Sequence, residues 1–180
     1  MILYEGRPAD ASGRLPREMR TYDFLDKLEI PYQRTDHERA DTMEACNAID
    51  AILNVVICKN LFLCNRQKTN FYLLIMPGDK PFKTKELSGQ LGISRLSFGE
   101  PEYMEKYLDL LPGSVSVLGL MNDHDHKVRL LIDEDVLEED QFGCHPCVNT
   151  SSIRFSTQDL FAKILPAMDR TYTTVHLVGY

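Results

Sequence analysis

The chain has 180 residues, of which 43% are hydrophobic and 26% charged, enough for one soluble domain with a single good core and too little for two. No run approaches the roughly 18 apolar residues of a membrane span, and Glu5, Arg7 and Asp10 interrupt any apolar export signal near the start, so a cytoplasmic protein that avoids membranes is expected. The net charge of −7 argues against a general nucleic-acid coat protein, and five cysteines without an export signal suit free thiols better than a disulfide framework.

Residues 1–15, with Gly6, Pro8, Ser12 and Gly13, lack periodicity and predict a flexible lead-in to a single domain over 16–180. Met19, Tyr22, Leu25 and Leu28 recur at helical spacing from Pro16 onward, with Pro31 as the stop. A short strand over Tyr32–Thr35 follows. Asp41, with Glu44 three residues on, has the layout of a helix cap, and the helix runs through Ile49 and Ile52. The β-branched and aromatic run Val55–Leu63 reads as a largely buried central strand or strand pair, joined through an exposed basic loop over 65–70 to a further strand, Phe71–Met76. Thr84–Leu91 predicts a helix closed by Gly92, and Pro101 signals the start of another over Glu102–Leu108. Val115–Met121 and Val128–Ile132 read as a hairpin around a polar tip, Asn122–His126. Val148–Phe155 holds one or two strands, Thr157 caps a helix through Leu165, and Thr173–Val178 alternates like a last strand. Hairpins with interspersed helices predict an α+β domain built on a mixed, largely antiparallel sheet or partial barrel.

Three features carry chemistry. Lys59 and Asn60 sit inside the apolar run Val55–Leu63, where an ammonium costs several kcal/mol unless it is paired, hydrated or aimed at an anion. Lys59 therefore either snorkels to water or binds something. From Lys59 to Arg95 seven basic residues face two acidic ones, whereas from Glu100 to Gln141 three basic residues face twelve acidic ones. That asymmetry permits one anion-facing surface, or a merely solvated face. The third feature is Gly143-Cys144-His145-Pro146-Cys147-Val148-Asn149-Thr150. Cys144 and Cys147 resemble half of a zinc or redox motif, but no second pair stands at a useful spacing, and His145 and Asn149 could instead line a pocket. The Asn122–His126 tip reads as water-facing. Nucleotide-loop, dinucleotide, nucleophile-elbow and zincin motifs are absent from the sequence.

Lys59-Asn60-Leu61-Phe62-Leu63, then the Phe71–Leu74 strand, Gly113-Ser114-Val115-Ser116, and His145-Pro146 with Asn149-Thr150 together resemble the prolyl-tRNA synthetase-associated editing proteins, the YbaK superfamily, and within it the freestanding ProX (PrdX) deacylases. The resemblance runs from about Pro16 to Val178. It implies hydrolysis of the ester joining alanine to a mischarged proline tRNA, without a metal or other cofactor. The implied partners are the tRNA acceptor end and the prolyl-tRNA synthetase, with the protein acting as a monomer or weak homodimer. It also implies Lys59, Asn60 and His145 as catalytic residues, with Lys59 anchoring the substrate by binding phosphate or ribose oxygens at the tRNA 3′ end. Asn149 joins them at the substrate, and Gly113 and Ser114 contribute backbone groups to the oxyanion or water site. An activated ester requires a placed water and a stabilised oxyanion rather than a strong nucleophile, which agrees with a chain lacking an evident triad. The family's usual proline after the Gly-Ser-Val-x segment is replaced by Val117, and Cys144 and Cys147 flank the histidine motif. A non-catalytic module that binds a tRNA end or an aminoacyl ligand is the alternative reading.

Overall fold

The computed structural model describes residues 1–179. In chain order its elements are β1 (Tyr4–Glu5), α1 (Pro16–Lys27), β2 (Gln33–Asp36), α2 (Met43–Leu53), β3 (Lys59–Cys64), β4 (Phe71–Met76), α3 (Thr84–Leu91), β5 (Ser97–Phe98) and α4 (Pro101–Leu108). There follow a 3-10 helix (Val117–Asn122), β6 (Val128–Asp133), α5 (Glu134–Leu137), β7 (Gln141–Cys144) and β8 (Ser151–Ser156). The last helix starts as α6 (Thr157–Asp159), widens into a π-helical turn (Leu160–Ile164) and closes as α7 (Leu165–Ala167), before β9 (Thr173–Val175).

All six side chains of β4 are buried, because this strand is covered on both faces. Phe71, Leu73 and Ile75 join the main core with Tyr22, Leu25, Phe142 and Phe155, while Tyr72, Leu74 and Met76 join a second cluster with Leu87, Leu131 and Leu177. The strands form two sheets. One, in the order β1-β2-β8-β7, is antiparallel throughout. The other, in the order β5-β3-β4-β6-β9, pairs β3 antiparallel with β4 and β5 but β6 parallel with β4 and β9. The architecture is thus α+β, with open antiparallel and mixed sheets flanked by helices. Among the described residues no barrel closes.

Several expectations change in detail. Of the two readings of Val55–Leu63, a single strand does not hold: β3 begins at Lys59, and Val55–Cys58 crosses to the other sheet. There Ile57 bridges Gly143, and the Cys58 N–H donates to the Gly143 carbonyl at 3.1 Å. Any Cβ on Gly143 would lie 2.7 Å from Ile57 Cδ1 and 2.8 Å from Val55 Cγ1, so the crossing requires glycine. The lysine that stood in mid-run is therefore the first residue of its strand. The Val115–Met121 segment is not half of a hairpin: a largely buried 3-10 helix, Val117–Asn122, capped by Ser116, takes up most of it, and β6 finds its partner, β4, across a long parallel connection. At the predicted water-facing tip, Asp123 is buried; it accepts the N–H groups of Lys127 and Val128 and pairs with Arg170 at 2.9 Å. Thr42, not Asp41, caps α2, its Oγ1 accepting the Ala45 N–H at 3.1 Å.

The first fifteen residues carry β1, which pairs with β2. The Arg34 guanidinium lies 4.5 Å from the Tyr4 ring centre, and Arg34 Nε donates to the Gly6 carbonyl. Arg14 bridges Glu18 and Asp36 at 2.9 and 3.0 Å. Among the described residues no helix is long and apolar enough to cross a membrane.

A cleft around His145 as candidate active site

The β7–β8 hairpin returns through the loop 145–150, which presents His145 and Asn149 beside the C-terminal half of α2. Between them lies a cleft of about 370 Å³. Ile49 and Ile57 supply apolar walls, Asp50, His145, Asn149 and Ser152 supply polar groups, and Gly113 closes one side. Arg39 and Asp41, ion-paired at 2.7 Å, form part of the rim. Gly113 has a φ of +89°, a conformation that favours glycine, and its backbone passes close to the Asn149 amide.

His145 Nδ1 lies 2.9 Å from the Ser151 carbonyl, an acceptor only, which places the ring proton on Nδ1 and a lone pair on Nε2. Burial lowers the His145 pKa most strongly; the Ser151 hydrogen bond opposes this, the charge of His37 adds to it, and the net shift is downward. Burial thus favours the neutral imidazole. Ser152 Oγ stands 3.3 Å from His145 Nδ1 and 2.8 Å from His37 Nε2, and the two rings are tilted with centroids 6.3 Å apart. Neither His37 nor Ser152 was singled out by the sequence, because 115 residues separate them and only the pairing of β2 with β8 brings them together.

Ser151, which orients His145 through its carbonyl, is itself clamped. Its hydroxyl donates to Asp36 at 2.7 Å, Arg14 and Arg34 both pair with Asp36, and the Tyr22 hydroxyl donates to Glu18 at 2.6 Å. Desolvation acts to raise the Asp36 pKa, but the hydrogen bonds from Arg14, Arg34 and Ser151 override it and hold the carboxyl well below the usual carboxylate range.

The six residues expected at the site are not all gathered in the cleft. Gly113, His145 and Asn149 line it together. Asn60 braces it from behind: its Oδ1 accepts the Val117 N–H at 2.9 Å, and its Nδ2 donates to the Cys58 carbonyl at 3.1 Å. That fixes the start of the 3-10 helix and the segment that leads back to Gly113. Ser114 turns inward, its N–H and hydroxyl both donating to the Leu111 carbonyl, at 3.1 and 2.7 Å. Lys59 is half-buried beside the second core cluster, on the opposite face of β3 from Asn60, and its Nζ donates to the Lys80 carbonyl. Among the described residues it pairs with no carboxylate.

The cysteines flanking the histidine motif face inward. Burial raises the Cys144 thiol far above its ordinary value and pushes Cys147 up to about 11. Cys58 is pushed up to about 12 by burial, with neighbouring carboxylates adding to the shift. Such thiols stay protonated at neutral pH and are weak nucleophiles and ligands.

A sequence model of the aminoacyl-tRNA editing domain matches residues 37–163. The chain is 33% identical over 154 residues to the prolyl-tRNA editing protein ProX of Acetoanaerobium sticklandii, a match covering 85% of this chain and 93% of that one. It is 28% identical to the prolyl-tRNA synthetase associated domain-containing protein 1 of Danio rerio, covering 77% of this chain and 76% of that protein. Its fold is similar to a solved structure described as a candidate trans-editing enzyme for prolyl tRNA synthetase, with a TM-score of 0.66 at 16% identity, covering 91% of this chain and 97% of that one. The match spans both His37 and the His145 loop, and the chain belongs to the aminoacyl-tRNA editing family.

Proposed function

We propose that this protein is a cytoplasmic trans-editing deacylase that hydrolyses the ester between a small amino acid, alanine foremost, and the terminal ribose of tRNA(Pro). The carrying observation is that His145 lines the cleft with Nδ1 held at the Ser151 carbonyl and, among the described residues, no hydrogen bond at Nε2, in a chain of the editing family. Nε2 accepts a proton from water as that water attacks the ester carbonyl, and passes it to the departing ribose oxygen. Asn149, whose amide adjoins the backbone of Gly113, orients the carbonyl. An aminoacyl ester also carries an α-ammonium, and Asp50, which commits one oxygen to the Ile57 N–H at 3.2 Å, is the carboxylate facing the cleft from α2. Ile49 and Ile57 suit a small apolar side chain. Discrimination between similar apolar groups is modest, and this is why an editing step separate from the synthetase is needed.

Lys59 takes the anchoring role. Its ammonium donates to a neutral backbone oxygen and, among the described residues, pairs with no carboxylate, so a phosphate or ribose oxygen at the tRNA end competes for it on favourable terms. Asn60 acts through the Val117 N–H, as a brace. The test is hydrolysis of Ala-tRNA(Pro) by the wild type, Lys59→Ala and His145→Ala. The proposal expects His145→Ala to lose about 100-fold or more in kcat and Lys59→Ala to raise KM. Equal rates for all three, or none above buffer, would overturn it.

A further inference from the structure

We propose that His37 is a positioning residue for His145, acting through the Ser152 hydroxyl to keep the His145 proton on Nδ1 and the lone pair on Nε2. This rests on the role of His145 given above. An imidazole serves as a base at one nitrogen only if its proton is held on the other. Among the described residues His145 Nδ1 has two hydrogen-bonding neighbours: the Ser151 carbonyl at 2.9 Å and Ser152 Oγ at 3.3 Å. The carbonyl can only accept. A hydroxyl can do either, so Ser152 is the group able to donate into Nδ1 and drive the proton round to Nε2.

His37 removes that option. Its own Nδ1 lies 2.8 Å from the Glu38 carbonyl, again acceptor-only, so Nδ1 carries the proton and Nε2 is a lone pair. That lone pair is 2.8 Å from Ser152 Oγ. The Ser152 hydroxyl therefore donates to His37 and turns an acceptor toward His145. Every donor then has one direction, fixed at both ends by a backbone carbonyl. The backbone sets the spacing: Thr35 and Asp36 pair with Ser152 and Ser151, and the His37 N–H donates to the Thr150 carbonyl at 2.9 Å. Charged groups surround the pair, with Arg39, Asp41 and Asp50 along the cleft and Arg14, Glu18, Arg34 and Asp36 beneath Ser151. Among the described residues none of them hydrogen-bonds to either ring.

The experiment combines ¹⁵N NMR of the imidazole tautomers with deacylation of Ala-tRNA(Pro). His37→Phe fills the ring volume without an acceptor; His37→Gln keeps one. In the wild type both histidines carry the proton on Nδ1. In His37→Phe the freed hydroxyl competes for His145 Nδ1, the Nε2–H form of His145 grows, and kcat falls about tenfold with KM within about twofold. His37→Gln stays within about threefold of the wild type in kcat. The decisive variant is His37→Phe with Ser152→Ala: with the competing hydroxyl gone, the Nδ1–H form returns and kcat recovers to within about threefold of Ser152→Ala alone. An unchanged His145 tautomer in His37→Phe, or a double variant as slow as His37→Phe, overturns the proposal. If His37→Phe does not fold, the wild-type spectrum decides, since an Nε2–H tautomer at His37 is incompatible with this arrangement. The tautomers are read without substrate, so an absence of deacylation in every form would refute the functional reading and leave this test intact.

Discussion

Replacing Asn60 by alanine tests whether this residue acts as a brace or in the chemistry. Its side chain makes two hydrogen bonds, accepting from the Val117 N–H at 2.9 Å and donating to the Cys58 carbonyl at 3.1 Å. Val117 is fully buried and opens the 3-10 helix, so its N–H is one of the donors that a helix start cannot satisfy internally. Stranding a buried donor costs about 1–3 kcal/mol, and losing the second bond adds about 1 kcal/mol. Asn60→Ala is therefore expected to destabilise the fold by about 2–4 kcal/mol, a fall in Tm of roughly 5–15 °C for a domain of this size. Urea unfolding with an unchanged m-value is the assay. Asn60→Asp keeps the acceptor for Val117 but turns a carboxylate oxygen toward the Cys58 carbonyl, so it should be no better than alanine. A stability within about 0.5 kcal/mol of the wild type, together with a large loss of kcat, would refute the brace and return Asn60 to the chemistry.

Three further outcomes follow from the geometry. Gly143→Ala would push a methyl to 2.7 Å from Ile57 Cδ1 and 2.8 Å from Val55 Cγ1; it should cost about 1–3 kcal/mol by overpacking and, because Ile57 lines the cleft, raise KM, whereas an unchanged melt and KM would contradict the tight crossing. Asp36 has its folded pKa below its unfolded value, so it stabilises the protein above the unfolded carboxylate pKa of about 4 and this stabilisation is lost as pH falls through the folded value. Urea melts should show the wild type and Asp36→Asn converging as pH drops below about 4, and parallel curves would count against the clamp. His145 is lowered chiefly by burial, so the acid limb of kcat/KM should lie below the ordinary imidazole value of about 6.5; a limb at or above it would remove His145 as the base.

Elements with local punctuation are legible in the sequence. Pro16 and Pro101 start α1 and α4 where the sequence places them, and Gly92 ends α3 in the left-handed conformation it is suited to. The strand Phe71–Met76 has the bounds its composition predicts. What stayed hidden depends on distant partners. Val115–Met121 is apolar because it is buried, and a short buried segment carries no period that separates a strand from a 3-10 helix. The parallel pairing of β6 with β4 leaves no turn signature. Strand β7 is four residues long and includes Gly143.

The site divides along the same line. His145, Asn149 and Gly113 belong to compact motifs and meet in the cleft. Lys59 and Asn60 are neighbours in sequence, yet strand alternation sends them to opposite faces, Asn60 toward Val117 and Lys59 toward Lys80. His37 and Ser152 carry no local mark of their roles. They matter only because β2 and β8 pair in the register that sets Thr35 against Ser152.

Whether this cleft removes a wrong amino acid from tRNA(Pro) is decided by giving substoichiometric enzyme Ala-tRNA(Pro) and Pro-tRNA(Pro) in parallel. Our account predicts many turnovers on the alanyl ester while the prolyl ester survives at the rate of buffer alone. Binding of either tRNA without turnover, or equal hydrolysis of both, would contradict it.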